Sequence, residues 1–195
     1  MGAISPPPFL TKDFIRKVEK KIIQPTIDGL MKDKIIYKGF IFFGLIKVKE
    51  EPYVIEYNVR MGDPECQTLL PKLKTDFFEI VKKCIDRNLE DLNIEWHEDK
   101  SICIVLCSKG YPDTYKNNVT LDFEKIDLEE NQFIFHAGTK IIDNKIVSNG
   151  GRVLNIVTKS SDLKLAREKS LKLLTEINWE NGFYRKDIGY KVIKE

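Results

Sequence analysis

The chain has 195 residues, with 32 lysines and arginines against 30 aspartates and glutamates, for a formal net charge of +2. So even a balance leaves no electrostatic footprint for a nucleic-acid partner, and 42% hydrophobic with 32% charged residues excludes disorder by composition. The longest apolar stretches, residues 40–46 and 102–107, are far short of the roughly 20 residues that span a bilayer, so no membrane partner is expected. The opening Met1-Gly2-Ala3-Ile4-Ser5-Pro6 has neither the basic start nor the apolar core of a signal peptide.

Thr11 can cap a helix whose Phe14, Val18 and Ile22 form one apolar stripe, and Pro25 should kink or divide it. Residues 37–49 and 53–59, separated by Glu50-Glu51-Pro52, read as a β-hairpin. Residues 75–89 carry Phe77, Phe78, Val81, Cys84, Ile85 and Leu89 at helical spacing, and the acidic, polar stretch that follows places a domain boundary near residue 97. The second half predicts strands over 101–108, 132–136 and 140–143, with Asp143-Asn144 turning into Ile146 and Val147. Gly150-Gly151 precedes a strand over 152–158, and Ser160 or Ser161 then caps a helix with Leu163, Ala166, Ser170, Leu173, Leu174 and Ile177 on one face. Strands mixed with helices predict an α+β fold.

Cys66, Cys84, Cys103 and Cys107 read as reduced thiols in a chain large enough to fold without staples. Cys103 and Cys107 lie four apart on one strand face, roughly 13 Å from each other, too far for a disulfide. His97 and His136 are isolated, which argues against structural zinc.

The run from Val54 to Glu65, Val-Ile-Glu-Tyr-Asn-Val-Arg-Met-Gly-Asp-Pro-Glu, holds the candidate chemistry. Strand alternation puts Glu56, Asn58 and Arg60 on one face. A carboxylate and an amide oxygen are hard ligands that Mg²⁺ accepts while keeping water and phosphate in its other positions. Arg60 can grip a phosphate or acyl phosphate, and Asp63 follows in the turn that leaves the strand. The same residues are ordinary on the solvated face of an edge strand, and spacing alone leaves both readings open.

This stretch closely resembles the end of the ATP-grasp domain of the phosphoribosylamine–glycine ligases, also called glycinamide ribonucleotide synthetases. Three further blocks are similar in the same order. Met1-Gly2-Ala3-Ile4-Ser5-Pro6 resembles a family turn in which Tyr is usual where Ile4 stands. Phe135-His136-Ala137-Gly138-Thr139 with Asn149-Gly150-Gly151-Arg152-Val153-Leu154, and Tyr184-Arg185-Lys186-Asp187-Ile188-Gly189, resemble the family's C-terminal domain.

The resemblance implies the C-terminal part of an ATP-grasp domain over residues 1–97, with a mixed or antiparallel sheet and helices, followed by a small α+β domain over 98–195. It implies an ATP-dependent, cytoplasmic step of purine synthesis in which glycine joins 5-phosphoribosylamine through a glycyl phosphate. Glu56 and Asn58 would hold Mg²⁺ or Mn²⁺, and Arg60 and Asp63 would act at the transferring phosphoryl group. Ser5, Pro6, Gly138, Thr139 and Arg152 would meet substrate. Each of these softer matches has a structural alternative: a packing arm at Ser5-Pro6 and a strand-connecting turn at Gly138-Thr139. His136 reads as a hydrogen-bonded structural residue, and Arg185 with Asp187 as an ion pair.

The resemblance covers only the C-terminal part of the ligase, so the chain is expected to be inactive without the N-terminal half, which carries a glycine-rich domain and an ATP lid. Met1 matches a methionine internal to the family motif, which fits proteolysis, truncation, a split gene or a misplaced start codon. A non-catalytic binding or assembly module derived from the ligase is the alternative. Another ATP-grasp carboxylate–amine ligase is a third reading, against which the blocks at 135–139 and 149–154 argue.

Overall fold

The computed structural model describes residues 1–122 and 126–193, arranged as two compact units. One unit comprises Met1–Pro6, Asp63–Lys72 and His97–Glu195, and the other Pro7–Gly62 and Leu73–Trp96. The mixture of antiparallel sheets and helices is the α+β fold that the sequence predicts.

The larger unit is built on strands β1 (Gly2–Ser5), β4 (Lys100–Ser108), β5 (Gln132–His136) and β8 (Arg152–Ser160), in the order β1-β4-β8-β5. Each neighbouring pair is antiparallel. In β4, Ile102, Ile104 and Leu106 face helix α5 (Leu163–Ile177), whereas Cys103, Val105 and Cys107 belong to a cluster on the opposite face with Val157. Burial on both faces explains why β4 is an unbroken apolar run rather than an alternating one. Each fully buried isoleucine of this core contributes about 1.5–3 kcal/mol. Helix α5 buries the predicted set Leu163, Ala166, Ser170, Leu173, Leu174 and Ile177, and the Ser170 hydroxyl donates to Thr158 Oγ1 at 2.8 Å.

Five features of this unit depart from the sequence reading. Its first residues form a strand, β1, rather than a turn, and a Cβ at Gly2 would lie 2.3 Å from the Cys103 carbonyl oxygen. Asp162, not Ser160 or Ser161, caps α5 by accepting from Leu165 N at 2.9 Å. A two-residue strand β9 (Gly182–Phe183) pairs with the end of β4, and a one-turn helix α6 (Tyr190–Ile193) closes the described chain. Short helix α3 (Glu65–Leu69) packs beside β1 and β4, where Ser101 Oγ donates to Thr68 O at 2.6 Å. The predicted hairpin at Asp143-Asn144 forms between β6 (Thr139–Ile142) and β7 (Lys145–Ser148), both turn residues taking positive φ.

In the smaller unit, Thr11 caps α1 (Lys12–Val18) by accepting from Phe14 N at 3.1 Å. A π turn over Glu19–Ile23 leads into α2 (Gln24–Lys32). Pro25 thus divides the helix without ending it: the wider turn precedes the residue that has no N–H to donate. The predicted hairpin is β2 (Phe42–Val48) with β3 (Glu51–Asn58). Its turn is only Lys49-Glu50, both at positive φ, and Glu51 and Pro52 already lie in β3. Asp76 caps α4 (Phe77–Asp86) by accepting from Phe78 N at 2.8 Å.

Glu51 fastens the hairpin to the helix: Lys17 Nζ lies 2.8 Å from its Oε1, and Lys21 pairs with Oε2. The two lysine hydrogen bonds hold its pKa at about 2, below the ordinary 4.5. The folded value lies below the unfolded one, so this contact stabilises the fold above about 4.5 and loses its contribution as pH falls toward about 2. A carboxyl NMR titration is expected to place the Glu51 midpoint near 2, and Lys17→Ala with Lys21→Ala to return it toward 4.5. A wild-type midpoint already near 4.5 would show that the clamp is absent.

Candidate functional site

On β3, the Asn58 Nδ2 donates to Glu56 Oε1 at 3.0 Å, so the two predicted cation ligands do share a face. Alternation runs unbroken between them because the hairpin's irregularity falls earlier: Gly44 pairs with Glu56 and Leu45 with Val54, leaving Ile55 as the extra residue. Gly44 also explains where the Glu56 side chain finds room, since a Cβ there would come within 2.8 Å of Glu56 Cγ. Glu56 is exposed and Asn58 half-buried, so both can exchange water for a ligand. Among the described residues no group of three or more His, Cys, Asp or Glu side chains is placed to hold a metal. A carboxylate and an amide oxygen nevertheless fit a divalent cation that takes its remaining ligands from water and substrate phosphate.

Arg60 departs from its expected place on the strand face. Strand β3 ends at Asn58, and Arg60 lies in a bend where its Nη1 donates to the Met61 carbonyl at 2.9 Å.

In the larger unit, Asp63 and Arg152, predicted separately, meet each other. Arg152 Nη2 lies 2.9 Å from Asp63 Oδ2, while Nη1 donates to the Asp63 carbonyl at 3.1 Å and approaches Met1 Sδ at 3.4 Å. Three chain segments 62 and 89 residues apart in sequence converge on one guanidinium, whose planar fork can serve several acceptors at once. Both side chains remain about a third exposed, at 32% and 38%.

The two glycine turns have a packing explanation. Gly138 N donates to Arg152 O at 2.8 Å, Asn149 N donates to Gly138 O at 2.7 Å, and a Cβ on Gly138 would sit 2.9 Å from Gly150 Cα. The backbones therefore cross where no side chain fits. Gly151 carries the Tyr111 ring, whose Cδ2 would stand 2.1 Å from an added Cβ. This contact escaped the sequence reading because Tyr111 and Gly151 are 40 residues apart and neither carries a motif on its own. Thr139 Oγ1 and His136 Nδ1 are 2.9 Å apart, which gives His136 the hydrogen-bonded setting expected of it.

Ser5 is 9% exposed, and Lys72 Nζ donates to its carbonyl and hydroxyl oxygens, each at 3.4 Å. Lys72 is itself buried, and desolvation lowers its pKa. Pro6 follows at the end of this segment. Arg185 and Asp187 pair as expected, with Nε donating to Oδ1 at 2.9 Å, and that hydrogen bond holds the Asp187 pKa at about 2. Among the described residues none of the four cysteines is in a disulfide. Burial pushes the Cys103 thiol up to about 12 and raises Cys66 and Cys107 as well, so none of these three is poised as a thiolate nucleophile.

Comparison with known proteins gives two matches of one family. The phosphoribosylglycinamide synthetase ATP-grasp (A) domain matches residues 1–66, and the phosphoribosylglycinamide synthetase C domain matches residues 101–191. The chain belongs to the phosphoribosylglycinamide synthetase family. A phosphoribosylamine–glycine ligase of Caldanaerobacter subterraneus is 44% identical over 191 residues, which are 97% of this chain and 45% of that protein. The trifunctional purine biosynthetic protein adenosine-3 of Gallus gallus is 40% identical over 99% of this chain and 19% of its own length. The crystal structure of the Thermotoga maritima phosphoribosylamine–glycine ligase superposes with a TM-score of 0.80 at 31% identity, over 96% of this chain and 46% of that one. The chain thus spans under half the length of these relatives. Biotin carboxylase of Campylobacter jejuni, at 14% identity and a TM-score of 0.63, shares the fold. Among the described residues no helix is long and apolar enough to cross a membrane.

A double-mutant cycle with Asp63→Ala and Arg152→Ala, read by urea unfolding, is expected to give a coupling of about 1 kcal/mol, as for a partly exposed pair. Additive losses would show that the contact contributes nothing.

Proposed function

We propose that this chain supplies part of an enzyme that joins glycine to 5-phosphoribosylamine with cleavage of ATP, the ligation that its relatives' names describe. In this reading a glycine carboxylate oxygen attacks the γ-phosphorus of ATP, and ADP leaves. The amine nitrogen of phosphoribosylamine then attacks the carbonyl carbon of glycyl phosphate, loses a proton and expels phosphate. No covalent protein nucleophile is needed, which accords with the absence of an activated thiol among Cys66, Cys103 and Cys107. The observation that carries the proposal is the Glu56–Asn58 pair, cleared by Gly44, inside the segment that matches the ATP-grasp domain.

Glu56 and Asn58 would hold Mg²⁺ or Mn²⁺, and the ion, when bound, neutralises charge on phosphate oxygens. Arg60 would add its positive charge toward the phosphoryl group once it releases the Met61 carbonyl. Asp63 acts by holding Arg152, and the exposed parts of Arg152 and Thr139, with the backbone at Gly138, would meet the anionic substrate. Ser5 and Pro6 serve this reading as the framework seated on Lys72. We place the junction of the two family segments near residue 97, between the matched stretches 1–66 and 101–191, with an ATP-grasp part before it and a C-terminal domain after it. Four cysteines outside any disulfide support a cytoplasmic setting.

In a full-length ligase carrying these residues, Glu56→Gln and Asn58→Ala are expected to lower kcat by about 10²-fold or more, with partial recovery at high Mn²⁺. Wild-type rates across a metal titration would remove both from the cation site. Gly44→Ala, which touches no substrate in this reading, should also lower kcat by displacing Glu56; an unchanged rate would show that the cradle does not matter. The 195-residue polypeptide by itself is expected to release no ADP in a coupled assay with ATP, glycine and phosphoribosylamine, and measurable turnover would overturn the view that other parts of the ligase are required.

A further inference from the structure

A cavity of about 700 Å³ opens in the larger unit where the end of β4, the segment after it and the turn following α5 come together. Its volume lies within the roughly 300–1,000 Å³ range of small-molecule sites. None of its lining residues belongs to the Arg152–Asp63 cluster.

The walls are fixed. Lys109 N donates to the Asn181 carbonyl at 2.8 Å, tying the two sides together. The Trp179 indole N–H donates to the Thr120 carbonyl at 3.0 Å, and Gly182 lets the ring pack so closely that a Cβ there would lie 2.5 Å from Trp179 Cε3. Tyr115 forms another wall and is tilted against Tyr111, with ring centroids 6.3 Å apart.

The lining carries two ammonium groups, Lys109 and Lys116, against one carboxylate, Glu180. Neither lysine has an ion-pair partner among the described residues. The Asn181 Nδ2 is buried without an acceptor, which carries a desolvation cost and marks a place where a partner is owed. Uncompensated cations favour a phosphate, fixed aromatic faces favour a planar ring, and a lone carboxylate accepts hydrogen bonds from sugar hydroxyls.

We propose that this cavity binds a nucleoside monophosphate, with its phosphate on Lys109 and Lys116, its base against Tyr115 and Trp179, and its ribose hydroxyls donating to Glu180. The site is separate from the cation-binding strand β3 in sequence and does not depend on the ligation proposed above.

The test uses the 195-residue protein carrying Trp96→Phe, which leaves Trp179 as the only tryptophan. Adenosine 5′-monophosphate is expected to change Trp179 fluorescence saturably, and ribose 5-phosphate and inorganic phosphate to compete weakly. Adenosine, lacking the phosphate, should bind at least about tenfold more weakly. Lys109→Ala with Lys116→Ala, both exposed positions that leave the core intact, should weaken the nucleotide about tenfold or more while circular dichroism is unchanged. No saturable response to the nucleotide, equal binding of adenosine, or an unchanged affinity in the double lysine variant would each overturn the proposal.

Discussion

The antiparallel pairing of β4 with β8 is the constraint on which the larger unit depends. Its register, from Lys100 with Ser160 to Cys107 with Arg152, sets the apolar face against α5 and the thiol-bearing face on the other side. The same register decides what gathers at one end of the sheet. Arg152 opens β8 beside the close of β4, and His136, at the close of β5, pairs with Leu154. Gly138, Gly150, Gly151 and Tyr111 meet there because three strands begin or end together, not because the chain brings them near in sequence. Short contacts between backbones at that corner leave space only for glycine.

Much of this was legible in advance where the signal is local. Periodicity marked α5 and its buried face, alternation marked the hairpin carrying Glu56, and Asp143-Asn144 marked a turn that needs positive φ. The residues that were misread depend on distant partners. Strand β1 is four residues of small and apolar type whose strand character comes from β4 at residues 101–104. Arg60 continues the alternation on paper, but hydrogen bonding to β2 stops at Asn58, so its side chain is released from the strand face. Asp162 took the cap from its serine neighbours because it is the residue whose carboxylate reaches Leu165 N.

The candidate site was legible as chemistry and less so as geometry. Glu56 and Asn58 were two apart on a strand, and that spacing survives because the bulge at Ile55 lies before them. The Asp63–Arg152 contact joins residues 89 apart, and neither identity nor spacing announces such a pair. It turns two expected ligand-binding side chains into one shared unit, so a substitution at either changes the setting of the other. The family matches cover the strand and this corner in two separate segments, 1–66 and 101–191. Under the proposed function this chain would contribute a cation pair and an anion-facing corner, and the part of the relatives that it does not match would close over the nucleotide.

Complementation tests that assignment most directly. This chain would be mixed with a polypeptide covering the portion of the Thermotoga maritima ligase outside the matched 46%, and ADP release measured with ATP, glycine and phosphoribosylamine. The account predicts glycine-dependent ADP release from the mixture that Glu56→Gln abolishes. A stable complex of the two that releases no ADP, or one whose activity is indifferent to Glu56, would contradict it.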